Sequence, residues 1–234
     1  MRNKKYIKRE KRPSELCVLC GRNPATSWDD LPPKGMFANP KPTDPIKVPA
    51  CGSCNSGKKS SGADEIFQVF IGIAAGHGEQ GEQMFKDHVT KIIKSNRKLK
   101  RSIAETKHYR EFVTPSGLYL GRKECVRQDS KSCDAVIERI IRGLHWQYAG
   151  NIIGDKAAIK VRWHRTLTAA QIKMTELWQS DSVGGDQFIF KYAISEEAPL
   201  ASVWLLQFFN CTWWSATVIP KIIDSEQAAQ PDTE

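Results

Sequence analysis

The sequence predicts an α+β protein in which a small zinc-held module precedes a larger domain of helices and a few antiparallel strands. Three observations support this prediction: two paired Cys-x-x-Cys motifs near the start, apolar residues at helical spacing from residue 63 onward, and strand-like apolar runs after residue 187. The expected segments are a basic arm (1–13), the zinc module (14–62), the α+β domain (63–223) and a polar tail (224–234).

The composition is that of a folded protein with a basic surface. Among 234 residues, 40% are hydrophobic and 26% charged, which excludes a wholly disordered chain, a collagen-like fibre and a coiled coil. The 35 basic and 26 acidic residues give a net charge of +9, which favours a polyanionic partner such as nucleic acid or an acidic membrane surface. The odd number of cysteines and the absence of an apolar leader predict a cytoplasmic protein with reduced thiols.

Apolar spacing locates the elements of the larger domain. We expect helices from Ala63, over Gln83–Glu105, over Asp134–Tyr148 and over Thr168–Ser180. We expect strands at Leu118–Leu120, Gln187–Ile194, Val203–Phe209 and Trp213–Ile219. The last two lie within Ala198–Pro220, an uncharged stretch long enough to cross a bilayer, but its polar interruptions favour buried strands or a core helix instead.

Two cysteine pairs carry the strongest chemical signal. In each pair two thiolates are separated by two residues, so a tight turn can bring both sulfurs to one ion, and together the pairs provide four soft ligands suited to zinc. Such an ion has no open position for water, so it is predicted to be structural and not catalytic. The predicted zinc ligands are Cys17, Cys20, Cys51 and Cys54.

The order of motifs around these cysteines resembles a known family. The first pair is followed by the run Trp28-Asp-Asp-Leu-Pro-Pro-Lys-Gly-Met-Phe37 and then by Val48-Pro-Ala-Cys-Gly-Ser-Cys-Asn55. Residues 15–65 are thereby similar to the zinc-bearing branch of the HNH endonucleases, as is the acidic start of the following helix at Asp64 and Glu65. The resemblance implies a treble-clef ββα-metal finger over the zinc module.

The same resemblance implies site residues and a reaction. Asp29 falls on the aspartate that holds a catalytic divalent ion, Mg²⁺ or Mn²⁺, and Asn55 falls on the last motif position, which helps to hold that ion or the substrate. The residues expected to hold the catalytic ion are Asp29, Asp30 and Asn55. The position of the family's general-base histidine falls on Asp30, and residues 1–60 contain no histidine. A carboxylate is a weaker base than imidazole at neutral pH. Two functions therefore stay open: a metal-dependent endonuclease or nickase that hydrolyses phosphodiester bonds, and a degenerate zinc protein that binds nucleic acid or a partner protein without cleaving.

Basic side chains near the module and on the second helix are candidates for phosphate contacts. They are Lys34, Lys58, Lys59, Arg97 and Lys98. The alternative for each is a lysine or arginine that only faces solvent. The expected partner is nucleic acid, DNA in the first place, in a phage or defence setting, and the larger domain could bind a partner protein.

Overall fold

The computed structural model describes residues 15–55, 61–75, 78–114 and 116–221. Within these ranges it is a mixed α and β protein whose sheets are all antiparallel, as the sequence predicts. The basic arm, the polar tail, Lys58 and Lys59 lie outside the described residues.

The zinc module is built on a two-stranded hairpin. Strand β1 (Ser27–Leu31) pairs with β2 (Ile46–Ala50), and the one-turn helix α1 (Gly52–Asn55) follows directly. The connection between the strands contains a 3₁₀ turn at Lys34–Met36, whose backbone bend follows two prolines. The second cysteine pair therefore sits at the end of a strand and the start of a helix.

Helices follow the module in sequence. α2 (Ser61–Ala74) is followed by α3 (Glu79–Met84), a π-helical turn (Phe85–Val89), α4 (Thr90–Ser95) and α5 (Arg97–Thr106). The predicted single helix over Gln83–Glu105 is therefore wrong, because Asn96 leaves the helical conformation at ψ 89°. Its side chain accepts a hydrogen bond from the Leu99 amide and begins a new helix.

The remaining elements form a hairpin, a long helix and a sheet. Within the ranges given above, strands β3 (His108–Val113) and β4 (Tyr119–Cys125) pair only with each other. Helix α6 (Ser130–Ala149) begins after the Asp129 cap and ends at Gly150, whose φ is +75°. The five-stranded sheet has the order β5-β9-β8-β7-β6, with strands Ala157–His164, Thr212–Pro220, Ser202–Phe208, Phe188–Ile194 and Gln179–Val183.

The sheet confirms most of the strand predictions and corrects one helix. The uncharged stretch that ends at Pro220 forms β8 and β9, and no helix of the described residues is long and apolar enough to cross a membrane. The predicted helix over Thr168–Ser180 is shorter, because α7 (Ala169–Met174) ends early and Gln179 already belongs to β6. Pairing of β6 with β7 overrides the helical spacing there.

One hydrophobic core joins the zinc module to the larger domain. Buried residues of the module, among them Leu31 and Val48, belong to the same cluster as Ile137 of α6 and Trp204 of β8. Helix α6 packs on the hairpin so closely that a Cβ at Gly143 would lie 1.7 Å from Leu31 Cδ1. The module is thus held from one side by its cysteines and from the other by α6.

Candidate metal centre and the carboxylates beside it

The first cysteine pair lies in a tight backbone turn. The Cys17 amide donates to the Asn23 carbonyl at 2.8 Å, and the Gly21 amide donates to the Cys17 carbonyl at 2.7 Å. Gly21 has φ +68°, and a Cβ there would lie 2.7 Å from Gly154 Cα. Both facts require glycine at this position, because the left-handed conformation and the close approach each exclude a side chain.

The second pair occupies the junction between β2 and α1. The amides of Cys54 and Asn55 donate to the Cys51 carbonyl at 3.1 and 2.9 Å, so the chain turns within one helical step. This turn places the sulfurs of Cys51 and Cys54 on the same side as those of the first pair. Cys51 is buried and Cys54 half-buried.

The four sulfur atoms converge on one point. All of them lie within 4.8 Å of one another, and the Sγ atoms of Cys20 and Cys51 are 3.9 Å apart. A tetrahedral zinc site with Zn–S bonds of about 2.3 Å places its sulfurs ~3.8 Å apart. The cluster therefore fits a structural zinc ion, and the four ligands leave no position for a water molecule.

The electrostatics of the sulfurs favour a cation between them. Burial raises the pKa of the Cys17 and Cys54 thiols, and the neighbouring sulfur charges raise that of Cys54 further. Burial also opposes ionisation of Cys51, but hydrogen bonds from the Ser53 hydroxyl and the Cys54 amide lower its pKa to about 6. Four thiolates at this spacing repel one another, and a divalent ion removes that repulsion.

The predicted site residues Asp29 and Asp30 have different neighbours. They are adjacent on β1, where successive side chains point to opposite faces. Asp30 Oδ2 lies 3.4 Å from Lys34 Nζ, and its Oδ1 is buried with no hydrogen-bond partner in the part of the chain that the structure describes. Lys34, predicted to meet phosphate, is exposed and pairs with Asp30.

Asp29 belongs to a second group of charges that the sequence did not fully reveal. Burial and the negative charges of Asp64 and Asp30 raise its pKa to about 6, although the Arg139 guanidinium opposes the shift. Arg139 donates to Asp64 Oδ1, and its own Nε is buried with no partner among the described residues. Burial also raises the pKa of Asp64. We call Asp29, Asp64 and Arg139 the acidic pair and its arginine.

The Asn55 side chain connects α1 to strand β1 inside the zinc module. Its side-chain amide donates to Ser27 Oγ at 2.7 Å and to the Trp28 carbonyl at 3.2 Å. These bonds join α1 to β1, so the residue after the last cysteine links the cysteine cluster to the strand that carries Asp29. Arg97 and Lys98, the other predicted phosphate contacts, are exposed on α5.

Each histidine that the structure describes has other surroundings. His145 is buried with Nδ1 at 3.0 Å from Ser202 Oγ, and His164 Nε2 lies 2.7 Å from Ser215 Oγ. His108 contacts the Thr106 carbonyl, and His88 interacts with the charges of Asp87, Lys41 and Lys91. No imidazole of the described residues bonds to Asp29 or Asp30; His77 lies outside them.

Comparison of the chain with protein-family models, with curated proteins and with solved structures gives no match. The cysteine cluster is also the only group of three or more His, Cys, Asp or Glu side chains in the described residues that is close enough to hold one ion. The two carboxylates of the acidic pair do not form such a group with a third side chain of the described residues.

Proposed function

We propose that this chain is a metal-dependent endonuclease or nickase of the HNH type, with a treble-clef zinc finger, that hydrolyses phosphodiester bonds in DNA. The observation that carries the proposal is the acidic pair and its arginine. Asp29 of the module lies near enough to Asp64 of α2 for their charges to interact, and Arg139 of α6 bonds to Asp64. Carboxylates for a divalent ion and a guanidinium for a phosphate thus occur together beside the finger.

The residues divide the work of phosphate hydrolysis in this proposal. Asp29 and Asp64 would hold the divalent ion, and such an ion would supply positive charge to offset negative charge on the phosphate and on the leaving oxygen. Arg139 orients a phosphate oxygen through its fork of N–H donors. Asp30, at the position of the family's histidine, lies on the opposite face of β1 from Asp29, so it has no role in proton transfer here and the attacking water would lose its proton to solvent. The zinc centre and Asn55 keep β1 and α1 in place.

A nicking assay tests this proposal. Supercoiled plasmid is incubated with the full chain and Mg²⁺ or Mn²⁺, and conversion to the open circle is measured. Asp29→Asn and Asp64→Asn each remove one carboxylate and should lower the nicking rate at least about 100-fold, because a bound ion contributes several kcal/mol to the transition state. Glu176→Gln, which removes an exposed carboxylate near α7, should cleave like the wild type.

A second candidate function is a zinc protein that binds nucleic acid without cleaving it. The observation that favours it is the absence of an imidazole partner for Asp29 and Asp30 among the described residues. Salt-sensitive plasmid binding with no open circle in either metal would favour this candidate. If the protein neither bound nor cleaved the plasmid, that result would contradict both functions.

A further inference from the structure

The hairpin β3–β4 stands apart from the rest of the fold. Among the described residues, its strands pair only with each other, and none of their residues belongs to either hydrophobic core cluster. A lone two-stranded hairpin is at best marginally stable in water. Several large apolar side chains of its strands and turn are more than half exposed, namely Tyr109, Val113, Leu118, Tyr119 and Leu120. Contact with a partner molecule would stabilise such a hairpin.

One face of the hairpin collects positive charge. The register sets Arg110 directly opposite Lys123, and like charges in that arrangement destabilise a hairpin. Phe112 lies on the same face, with the Lys123 ammonium 5.8 Å and the Arg165 guanidinium 5.6 Å from its ring centroid. Within the described residues, Arg110, Lys123 and Arg165 form no ion pair. We call these three cations with Phe112 the cationic face.

The opposite face is balanced in charge. There Glu111 stands opposite Arg122, and Lys107 forms an ion pair with Glu124. The Arg122 guanidinium also lies 4.7 Å from the centroid of the Tyr109 ring. The excess positive charge of the hairpin therefore belongs to one face, which an evenly basic, solubilising surface would not produce.

We infer that the cationic face binds the phosphate backbone of duplex DNA, with the β-ribbon lying along the major groove. This inference rests on the proposed function for the presence of DNA. Phosphates supply the counter-charge that Arg110 and Lys123 lack, and ion release makes such contacts favourable. A two-stranded ribbon fits the major groove of B-form DNA, whereas the deep, narrow major groove of duplex RNA excludes it. The exposed Leu118 and Leu120 near the turn are suited to contact thymine methyl groups.

The test compares two double variants of the full chain that each lose two positive charges. Arg110→Gln with Lys123→Gln changes the cationic face, and Lys107→Gln with Arg122→Gln changes the balanced face. Fluorescence anisotropy with a labelled DNA duplex measures affinity across salt concentrations. The first variant should reduce the slope of log affinity against log salt by about 2, so that its deficit shrinks about tenfold between 50 and 200 mM salt. The second variant should keep the wild-type slope to within about 1, which is the change expected from the loss of one phosphate contact.

The outcomes separate this inference from the proposed function. Equal slopes for the two variants, with wild-type binding intact, would overturn the hairpin as the contact and leave the function standing. Absence of duplex binding by the wild type at low salt would overturn both. Equal affinity for single-stranded DNA, duplex RNA or poly-glutamate would overturn the assignment to a DNA groove. Thermal melting checks folding, and the first variant should melt no lower than the wild type because it removes a like-charge pair.

Discussion

At the scale of single residues, the burial of the Asp29 carboxylate opposes folding. It is half-buried on β1, where burial and the negative charges of Asp64 and Asp30 raise its pKa, while the Arg139 guanidinium and a hydrogen bond from the Asp30 amide oppose that rise. A carboxylate whose pKa rises from 3.8 to about 6 on folding opposes folding once it is ionised. A residue kept in such a place despite its cost is typical of a functional site.

The pH dependence of stability tests this reading of Asp29. At about pH 7 the carboxylate is charged in both states, so its burial destabilises the fold; as pH falls through 6 it is protonated first in the folded state, and the penalty is gone near pH 4. Asp29→Asn should therefore raise the free energy of unfolding by about 1–3 kcal/mol at neutral pH and by nothing at about pH 4. Urea unfolding at several pH values measures the difference.

A control and a contradicting result complete that experiment. Asp155 is an exposed aspartate paired with the exposed Arg22, so Asp155→Asn should change stability little at any pH. If Asp29→Asn destabilised the protein at neutral pH, the attraction between Asp29 and Arg139 would outweigh burial, and the acidic pair would be an ordinary structural ion network.

At the scale of elements, Gly143 determines how closely α6 approaches the zinc module. Adding a Cβ would force Leu31 and Val48 to move, since its position is 1.7 Å from Leu31 Cδ1 and 3.3 Å from Val48 Cγ1. Gly143→Ala should destabilise the protein by about 1–3 kcal/mol through overpacking, even though alanine favours helix by up to about 1 kcal/mol. Chemical unfolding measures the change.

The matched variant is Gly62→Ala near the start of α2. No atom of the described residues lies within 4 Å of the Cβ it would add, so helix propensity should decide the effect and the free energy of unfolding should stay equal or rise slightly. Equal effects of the two substitutions would contradict the close packing of α6 on β1.

The elements also show which parts of the fold could be predicted from the sequence. Strands β7, β8 and β9 could be predicted from their apolar runs. Each of them buries at least one face, which selects apolar residues along the strand. Strands β3 and β4 were missed or shortened because their residues are almost all exposed and carry no apolar alternation. The prediction omits β5, although Ile159, Val161 and Trp163 alternate with polar residues and this alternation is typical of a strand.

The candidate site divides in the same way. The cysteine cluster could be predicted because ligand spacing is a local property of the chain, and Asp29 followed from the motif that the family resemblance supplied. Arg139 could not be predicted, because its bond to Asp64 joins positions 75 residues apart and depends on how α6 packs against α2. A long-range ion pair leaves no pattern in a single sequence.

At the scale of the whole molecule, the cysteine cluster and the aromatic sheet share one hydrophobic core. Cys17 and Cys51 are in the same cluster of buried residues as Trp204 and Trp214. Phe67 of α2 contacts Trp214 at 5.1 Å between ring centroids and Phe208 at 5.3 Å, so α2, which follows the module, is also fixed to the sheet. A change in the packing of the cysteines is therefore expected to change the surroundings of the buried tryptophans.

Removal of zinc should consequently unfold more than the module. Elemental analysis of the pure chain should give one zinc per molecule, and Cys51→Ser should lose it, while Cys125→Ser, outside the cluster, should keep it. Because ion binding is coupled to folding, chelation or Cys51→Ser should lower the melting temperature and shift tryptophan fluorescence in the same single transition. A melt in which the metal is lost while the tryptophan signal of the sheet keeps its original midpoint would show that the module folds independently, and the shared core would then not couple the two parts.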